Sequence, residues 1–406
     1  MGQGRLIVAC DFGTSQFRAV VTEANSSGDL EVLGCAQLPA AGFEDGDFVD
    51  QGAAREAIAA LMKGLEAATD IYVSGFTYNL SGSHLRSVRA TSQLPIQHGP
   101  RPITERDVEE AKLRAGTMDI PFDNKILAIT PVEYAVDRVR GIVDPINRVG
   151  SHLEMQALLI TGSRSVLHNL ENAIEAAGFQ PLSDEVDVLA AGVARLTKRD
   201  REKGVLLVDI GGRTTQWAVY DKGSVVANGM VPWGGDHLTT DLSHGLRIER
   251  EEAEQVKRLR GVVLRSLTGG SSVDALFEED RPEETPGLVA AILEPRLEEI
   301  LTLVKRDFGD QRRLAGLGSG VVLTGGGSRC RGTTELAEEV FDLPVQARFL
   351  PERVRGEELL EDGQWATALG LAQWVAVDAA FLSGMDDRGG GGGWWGRLRR
   401  FLGLGR

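Results

Sequence analysis

The chain of 406 residues is 42% hydrophobic and 25% charged, a composition typical of globular domains that excludes a disordered chain. Its 44 basic and 59 acidic residues give a formal net charge of −15. This charge argues against a surface for nucleic acid, so no nucleic-acid partner is expected. Three scattered cysteines are typical of free thiols in a reducing compartment.

The first elements predicted in chain order form a β-hairpin. The apolar run LIVAC (6–10) ends at Asp11, Gly13 permits a tight turn, and FRAVV (17–21) resumes the apolar pattern. The apolar run is too short for a secretory segment. We therefore expect a cytoplasmic protein.

Residues 81–160 differ in character from the chain around them, because they alternate strand, helix, strand and strand. Thr104 is a good N-cap for the helix, and acidic residues fill its first turn. We interpret this segment as a small α+β insertion. The helix that follows, over 163–177, is predicted to end at Gly178.

The hairpin pattern recurs about two hundred residues further along the chain. The apolar run 205–208 leads into Asp209, a glycine-rich turn and a second strand over 216–220. A third strand-to-glycine turn, GVVLTGGGSRCRG (320–332), follows. Two hairpins with an acidic residue at each turn predict two similar halves that face each other across a cleft.

Paired glycine-rich turns of this kind suit a polyphosphate. Backbone N–H groups without side chains in the way bind phosphate oxygens, and carboxylates hold a divalent cation directly or through water. We expect Asp11 and Asp209 to lie near a magnesium ion and to bind it through water. The candidate phosphate-binding residues are Asp11, Gly13, Thr14, Ser15 and Gln16 in the first turn, and Asp209, Gly211, Gly212, Arg213, Thr214 and Thr215 in the second.

These motifs resemble those of a known superfamily. DFGTSQFRAVV (11–21), VDIGGRTTQWAVY (208–220) and VVLTGGGSRCRG (321–332) are similar to the phosphate-1, phosphate-2 and adenosine motifs of the actin/Hsp70/sugar-kinase ATPases. Within that superfamily, the insertion, the segment 231–257 and the basic aromatic tail resemble the FtsA family of bacterial division proteins. The resemblance implies an α/β chain with the actin-like ATPase fold, in which two ribonuclease-H-like halves enclose a nucleotide cleft and carry a small α+β insertion subdomain.

The resemblance also assigns further residues to ATP. Glu254 and Lys257 lie three apart on a helix, so they share a face and can both reach ribose and base. Asp187 is the position implied to orient an attacking water, although an N-cap or a solvated carboxylate is an equal alternative. The remaining nucleotide-binding positions that the resemblance implies are Gly234, Gly235, Gly325, Gly326, Gly327 and Ser328.

The second turn departs from the family pattern at two positions. Arg213 stands where a third glycine is usual, and it either pairs with phosphate oxygens or points outward. Gln216 stands near the place of an aspartate that usually follows the threonines, which removes a carboxylate from the cleft. These changes favour nucleotide binding over hydrolysis, so at most a weak ATPase is expected.

The last thirteen residues, WWGRLRRFLGLGR, have the pattern of an interfacial helix. Their apolar side chains fall within an arc of roughly 100° that arginines flank. A single helix of this kind binds a membrane weakly, whereas a filament that carries many such helices binds it firmly by avidity. A tail that is disordered, packs on its own protein or docks on a partner protein remains an alternative. The residues expected at an anionic lipid bilayer are Trp394, Trp395, Arg397, Leu398, Arg399, Arg400, Phe401 and Leu402.

The sequence predicts the following organisation. The parts are a first actin-like subdomain at 1–80 with 161–184, the insertion at 81–160, a second half at 185–383 with a helical subdomain at about 249–313, a glycine-rich linker at 384–393, and a membrane-targeting helix at 394–406.

The family resemblance implies an ATP-binding cytoskeletal adaptor. It would polymerise into actin-like filaments on the inner face of the cell membrane, tether FtsZ at the division site and meet later divisome proteins. One alternative is a PilM-like scaffold of type IV pilus assembly, which would not be expected to carry its own amphipathic tail. A sugar or acetate kinase is a further alternative, but no motif for a substrate base occurs outside the nucleotide loops.

Overall fold

A computed structural model describes residues 4–25, 28–117, 119–268, 286–347, 354–356, 360 and 363–383. The linker at 384–393 and the helix at 394–406 that the sequence predicts, with all of its membrane-binding residues, lie outside the described residues. Within those residues, no helix has both the length and the hydropathy needed to span a bilayer.

The strands and helices run as follows. The strands up to residue 186 are β1 (Arg5–Phe12), β2 (Gln16–Ala24), β3 (Leu30–Pro39), β4 (Phe43–Glu44), β5 (Asp47–Phe48), β6 (Gly75–Leu80), β7 (Arg86–Pro95), β8 (Arg101–Pro102), β9 (Asn124–Val136), β10 (Val139–Ile142), β11 (Val149–Gly150), β12 (His152–Ser163) and β13 (Gln180–Val186). The later strands are β14 (Val205–Ile210), β15 (Thr215–Asp221), β16 (Ser224–Val231), β17 (Val321–Thr324), β18 (Val345–Ala347) and β19 (Val354–Arg355). The helices are α1 (Gln51–Thr69), α2 (Glu105–Ala115), α3 (Arg164–Ala176), α4 (Asp187–Arg195), α5 (Lys198–Lys203), α6 (Gly235–Leu246), α7 (Arg250–Arg260), α8 (Pro286–Phe308), α9 (Gln311–Ala315), α10 (Thr333–Phe341) and α11 (Ala366–Ser383).

A six-stranded sheet in the order β13-β6-β1-β2-β3-β19 forms the first half. Strands β1 and β2 pair antiparallel up to Phe12 opposite Phe17, which confirms the first predicted hairpin. Helices α1 and α3 bury their apolar faces against this sheet around those two aromatic rings, whose centroids lie 5.2 Å apart. Helix α3 ends just before Gly178, as predicted, and this glycine has a φ of +95°.

A five-stranded sheet in the order β16-β15-β14-β17-β18 forms the second half. Strands β14 and β15 pair antiparallel up to Ile210 opposite Thr215, which confirms the second hairpin. Leu206 and Val208 pack against α6, α8 and α10 on one face, whereas Leu207 packs against α4 on the other. Both faces of β14 are therefore buried, which explains its continuous apolar run.

The segment 81–160 contains a separate four-stranded antiparallel sheet in the order β10-β9-β12-β7. Helix α2 covers it, and the two share a core that includes Val108 and Leu159. Thr104 caps α2 in a reciprocal capping box with Asp107, so the predicted helix start is confirmed. The α+β character predicted from the sequence follows from this arrangement.

The end of the described chain returns to the first half. Strand β19 pairs with β3, and α11 buries Leu369 and Ala372 against Ala9 and Val20 of the first sheet. The sequence prediction placed the whole of 185–383 in the second half, and the structure differs from it over 354–383. Apolar residues are spread around α11, so its sequence pattern does not indicate which sheet it covers.

Candidate functional site

The two hairpin turns face a shared cavity of about 350 Å³. In the first turn the N–H of Gly13 donates to the carbonyl of Gln16 at 3.1 Å, and in the second the N–H of Gly211 donates to the carbonyl of Thr214 at 2.9 Å. The same kind of bond thus closes both turns. The sequence repeat that predicted two equivalent turns corresponds to a repeat in structure.

Glycines, which carry no side chain beyond a hydrogen atom, allow these turns to approach each other closely. A Cβ on Gly212 would lie 2.0 Å from the Oγ of Ser15 in the opposite turn, and a Cβ on Gly234 would lie 2.6 Å from the carbonyl oxygen of Gly212. The N–H of Gly235 donates to the carbonyl of Gly211 at 2.9 Å. Backbone therefore forms much of the cavity wall, as a polyphosphate site requires.

The third glycine turn packs directly against the carboxylate of Asp209. Gly325 has a φ of +83°, and a Cβ there would lie 2.1 Å from Asp209 Oδ1. A Cβ on Gly327 would lie 2.4 Å from a methyl carbon of Ile210. Ser328 is buried, and its hydroxyl donates to the carbonyl of Gly325 at 2.8 Å. This serine stabilises the turn from inside and does not line the cavity.

Three of the carboxyl groups that line the cavity, those of Asp11, Asp187 and Asp209, influence one another electrostatically. Burial raises the pKa of Asp11 to about 7, and the charge of Asp187 adds to the effect while Arg18 opposes it. Burial also raises the pKa of Asp187. The pKa of Asp209 is well above its ordinary value because of burial and of the other two carboxylates. A cation bound among these groups would favour their ionised forms.

Asp187 is held by two hydrogen bonds at the first turn of α4. Its Oδ2 accepts from Nε2 of Gln216 at 2.7 Å, and its Oδ1 accepts from the hydroxyl of Thr367 at 2.5 Å. Gln216, which the sequence identified only as a lost carboxylate, therefore positions the carboxylate of Asp187. Thr367 comes from the start of α11, so the position of that helix also determines this part of the site.

The residues present fit a magnesium ion that is held mainly by phosphate and water. Among the described residues, no three His, Cys, Asp or Glu side chains lie close enough together to bind a metal ion directly. Mg²⁺ in phosphate sites is usually bound by one or two carboxylates, by the phosphates and by water. Asp11 and Asp209 face the glycine-lined cavity from the two halves, which is compatible with that chemistry.

Glu254 and Lys257 lie side by side on α7 and both line the cavity. The ammonium of Lys257 is 2.6 Å from Glu254 Oε2, and it also donates to the carbonyl of Gly235 at 2.9 Å and to the hydroxyl of Thr239 at 2.7 Å. Burial raises the pKa of Glu254, but Lys257, Thr239 and Arg258 outweigh it, so the net shift is downward. The lowered pKa favours the ionised form of Glu254, and the ion pair and hydrogen bonds fix both side chains in place.

The cavity brings together sixteen of the twenty predicted catalytic and nucleotide-binding residues. Those that line it are Asp11, Gly13, Thr14, Ser15, Gln16, Asp187, Asp209, Gly211, Gly212, Thr214, Gly235, Glu254, Lys257, Gly325, Gly326 and Gly327. The residues that do not line it are Arg213, Thr215, Gly234 and Ser328. Thr215 is buried behind the turn, where its hydroxyl donates to the carbonyl of Trp233 at 2.7 Å.

Several lining residues were not predicted from the sequence. Arg18 lies directly opposite Asp11 in the β1–β2 ladder and forms an ion pair with it at 3.7 Å. The hairpin register gives this position, so a strand-pairing argument would find it. The other unpredicted polar and charged residues include Ser81, Asp236, Arg258, Arg329, Gln364 and Thr367.

Comparison with known proteins decides the family. The model of the family "Cell division protein FtsA" matches residues 206–370, and that of the "SHS2 domain inserted in FTSA" matches 82–161. The FtsA of Neisseria meningitidis is 31% identical over 375 residues, which are 91% of this chain and 90% of the relative. The chain belongs to the FtsA family of cell division proteins. The FtsA of Bacillus subtilis is 30% identical over 385 residues, which cover 93% of this chain and 85% of that protein.

Solved structures confirm the actin-like ATPase fold predicted for this FtsA family member. A chain of the PilM–PilN type IV pilus biogenesis complex superposes with a TM-score of 0.64 at 18% identity, over 90% of this chain and 97% of that one. MreB5 of Spiroplasma citri bound to ADP superposes with a TM-score of 0.51 at 14% identity, over 95% and 99%. At such low identities the likeness concerns the fold alone, so it does not favour a pilus function.

Proposed function

We propose that this member of the FtsA family is an ATP-binding, actin-like adaptor of cell division. It polymerises on the inner face of the cytoplasmic membrane, tethers FtsZ polymers there during septum assembly and meets later divisome proteins. Family membership supports the division role. The observation that carries the nucleotide part is the cavity in which two equivalent hairpin turns, three carboxyl groups and a third glycine turn meet.

We assign two roles to the residues that line the cavity. The backbone of the Gly13–Gln16 and Gly211–Thr214 turns lines a space suited to phosphates. Asp11 and Asp209 would hold magnesium there through water, and the ion would neutralise phosphate charge. The paired Glu254 and Lys257 would present a fixed carboxylate and a fixed ammonium to ribose and base.

The proposal of weak hydrolysis at most rests on the second turn, where Gln216 takes the place of the usual aspartate and leaves one carboxylate fewer. Gln216 and Thr367 each donate to one oxygen of Asp187, and each of these oxygens keeps a further lone pair for a water molecule. Asp187 is therefore proposed to orient a water, and the protein acts mainly by binding ATP.

Attachment to the membrane is proposed to depend on the predicted terminal helix. Each arginine near an anionic leaflet contributes about 1 kcal/mol. Five partly buried apolar side chains add on the order of 6–8 kcal/mol, which the ordering of the tail largely offsets. One molecule then binds reversibly. A filament with many tails binds firmly because attachment of one tail raises the local concentration of the next.

The nucleotide site is tested by Asp209→Asn with Asp221→Asn as the matched control. Asp221 ends β15 in the same hairpin and does not line the cavity. We expect Asp209→Asn to weaken Mg-ATP binding by about tenfold or more, the usual effect of a lost charged contact, and Asp221→Asn to leave it unchanged. Isothermal titration calorimetry measures both.

The unfolding temperature separates loss of binding from loss of fold. The ionised form of Asp209 is unfavourable in the empty cavity, so Asp209→Asn should unfold at the wild-type temperature or above it. Wild-type affinity in the Asp209→Asn variant, or a wild-type chain that binds no ATP, would refute the proposed site.

A further inference from the structure

Arg213 connects the two halves at the mouth of the cleft, outside the cavity. Its NH1 lies 3.4 Å from Oε1 of Glu44, which the first half carries on β4, and its Nε lies 3.9 Å from Oδ2 of Asp236, which the second half carries on α6. Half of the Arg213 side chain is exposed. The sequence left two directions open for the Arg213 side chain, towards phosphate oxygens or outward. In the structure the side chain points outward and contacts carboxylates.

Two further bonds cross the mouth at the same place. The backbone N–H of Arg213 donates to Oγ1 of Thr14 at 3.0 Å, and the hydroxyl of Ser15 donates to Oδ1 of Asp236 at 3.0 Å. Thr14 and Ser15 belong to the turn of the first half. These contacts join the two turns between which the phosphates of a bound nucleotide would lie.

We propose that Arg213 is a latch that holds the phosphate end of the cleft closed and slows the release of bound nucleotide. This inference rests on the proposed function, since it requires that the cleft binds ATP. A glycine at this position could make the backbone contact to Thr14 but not the side-chain contact to Glu44. Arg213 thus acts by positioning the two turns and does not itself contact the phosphates.

The neighbouring Arg250 provides an internal comparison. Its NH2 lies 3.4 Å from Oδ2 of Asp236 and its NH1 donates to the hydroxyl of Thr240, and all three residues belong to the second half. Arg250 is as exposed as Arg213, at 51% against 50% of the side chain. The two arginines share a carboxylate and differ in the contact to Glu44.

The test compares Arg213→Gln with Arg250→Gln. Each protein is loaded with a fluorescent ATP analogue and magnesium, and the dissociation rate is followed by stopped flow after addition of excess ATP. Exposed ion pairs are individually weak, so Arg213→Gln should release nucleotide about two- to fivefold faster than wild type. Arg250→Gln should release it at the wild-type rate, because its contacts do not cross the cleft.

Ionic strength distinguishes a latch from a general structural role. Salt screens exposed ion pairs, so wild-type release should accelerate as salt is raised, and this dependence should be smaller in Arg213→Gln. Glu44→Gln should reproduce the faster release, and the double variant should be no faster than either single one, since both changes remove the same contact.

The outcomes separate the latch from the nucleotide site. A wild-type chain that binds no nucleotide would overturn the latch together with the proposed function. Normal binding with equal release rates in wild type, Arg213→Gln and Glu44→Gln would overturn the latch alone. Faster release in Arg250→Gln to the same extent as in Arg213→Gln would also overturn it, because the effect would then be one of surface charge.

Discussion

Neighbouring glycines in the third turn have very different surroundings. Gly325 adopts a φ of +83° and lies against Asp209, whereas a Cβ on Gly326 would meet no atom within 4 Å. A positive φ costs a residue with a side chain about 1–2 kcal/mol. The two positions therefore form a matched pair for the same substitution.

Gly325→Ala should lower the free energy of unfolding by at least about 1–2 kcal/mol, because left-handed strain and the contact with Asp209 add together. Gly326→Ala should leave it unchanged or raise it by up to about 1 kcal/mol, since alanine restricts the unfolded chain. Urea unfolding followed by circular dichroism measures both. Equal effects of the two substitutions would contradict the described geometry of this turn.

Residue-level prediction from sequence succeeded where the chemistry is local. Asp11 and Asp209 follow apolar strands directly, so their place at the ends of β1 and β14 could be read from the chain. The partners of Arg213 could not be predicted from the sequence. Glu44 and Asp236 lie far from Arg213 in the chain and contact it only in the folded protein.

At the level of elements, both hairpins could be predicted because their apolar runs and turn residues are contiguous in the chain. Helix α2 was also predictable, since the cap at Thr104 and the acidic first turn lie at its start. Helix α11 was predicted as a helix, but its packing partner was not. An apolar sequence on all sides of a helix gives no direction for burial.

The start of α2 gives a pH-dependent prediction. Both oxygens of Asp107 accept hydrogen bonds from Arg101 at 2.7 Å, and one of them also accepts from Thr104. The guanidinium of Arg101 and the hydrogen bonds from Thr104 hold the pKa of Asp107 well below its usual range, although burial opposes this. A depressed pKa in the folded state adds stability above the unfolded-state pKa, and this stability is lost as the pH falls.

Asp107→Asn should therefore lower the free energy of unfolding by about 1–3 kcal/mol near neutral pH. The difference from wild type should shrink below about pH 4, where the unfolded carboxyl takes up its proton. The control is Glu110→Gln, which removes an exposed pair with Arg114 on the same helix and should cost about 0.5 kcal/mol or less. Urea unfolding at a series of pH values measures both, and a difference that grows towards acid would contradict the prediction.

For the whole molecule, the two hairpins predicted two similar halves across a cleft, and the resemblance of the three glycine turns to the phosphate and adenosine motifs implied the actin-like architecture. The return of the chain to the first sheet over 354–383 was not predictable. It has consequences for the site, because Thr367 and Gln364 enter the cavity from this last segment. The predicted membrane helix lies beyond the described residues and is tested only by experiment.

The central claim of the proposed function is that filament formation by the ATP-bound chain controls its attachment to the membrane through the terminal helix. The most direct measurement is sedimentation with liposomes that contain anionic lipid, with and without ATP. The samples are the intact chain, a chain that ends at Gly393 and the intact Asp209→Asn variant. We predict that the intact chain pellets more with ATP than without, that Asp209→Asn shows no ATP effect, and that the shortened chain stays in the supernatant. Equal pelleting of the intact and shortened chains would contradict the account.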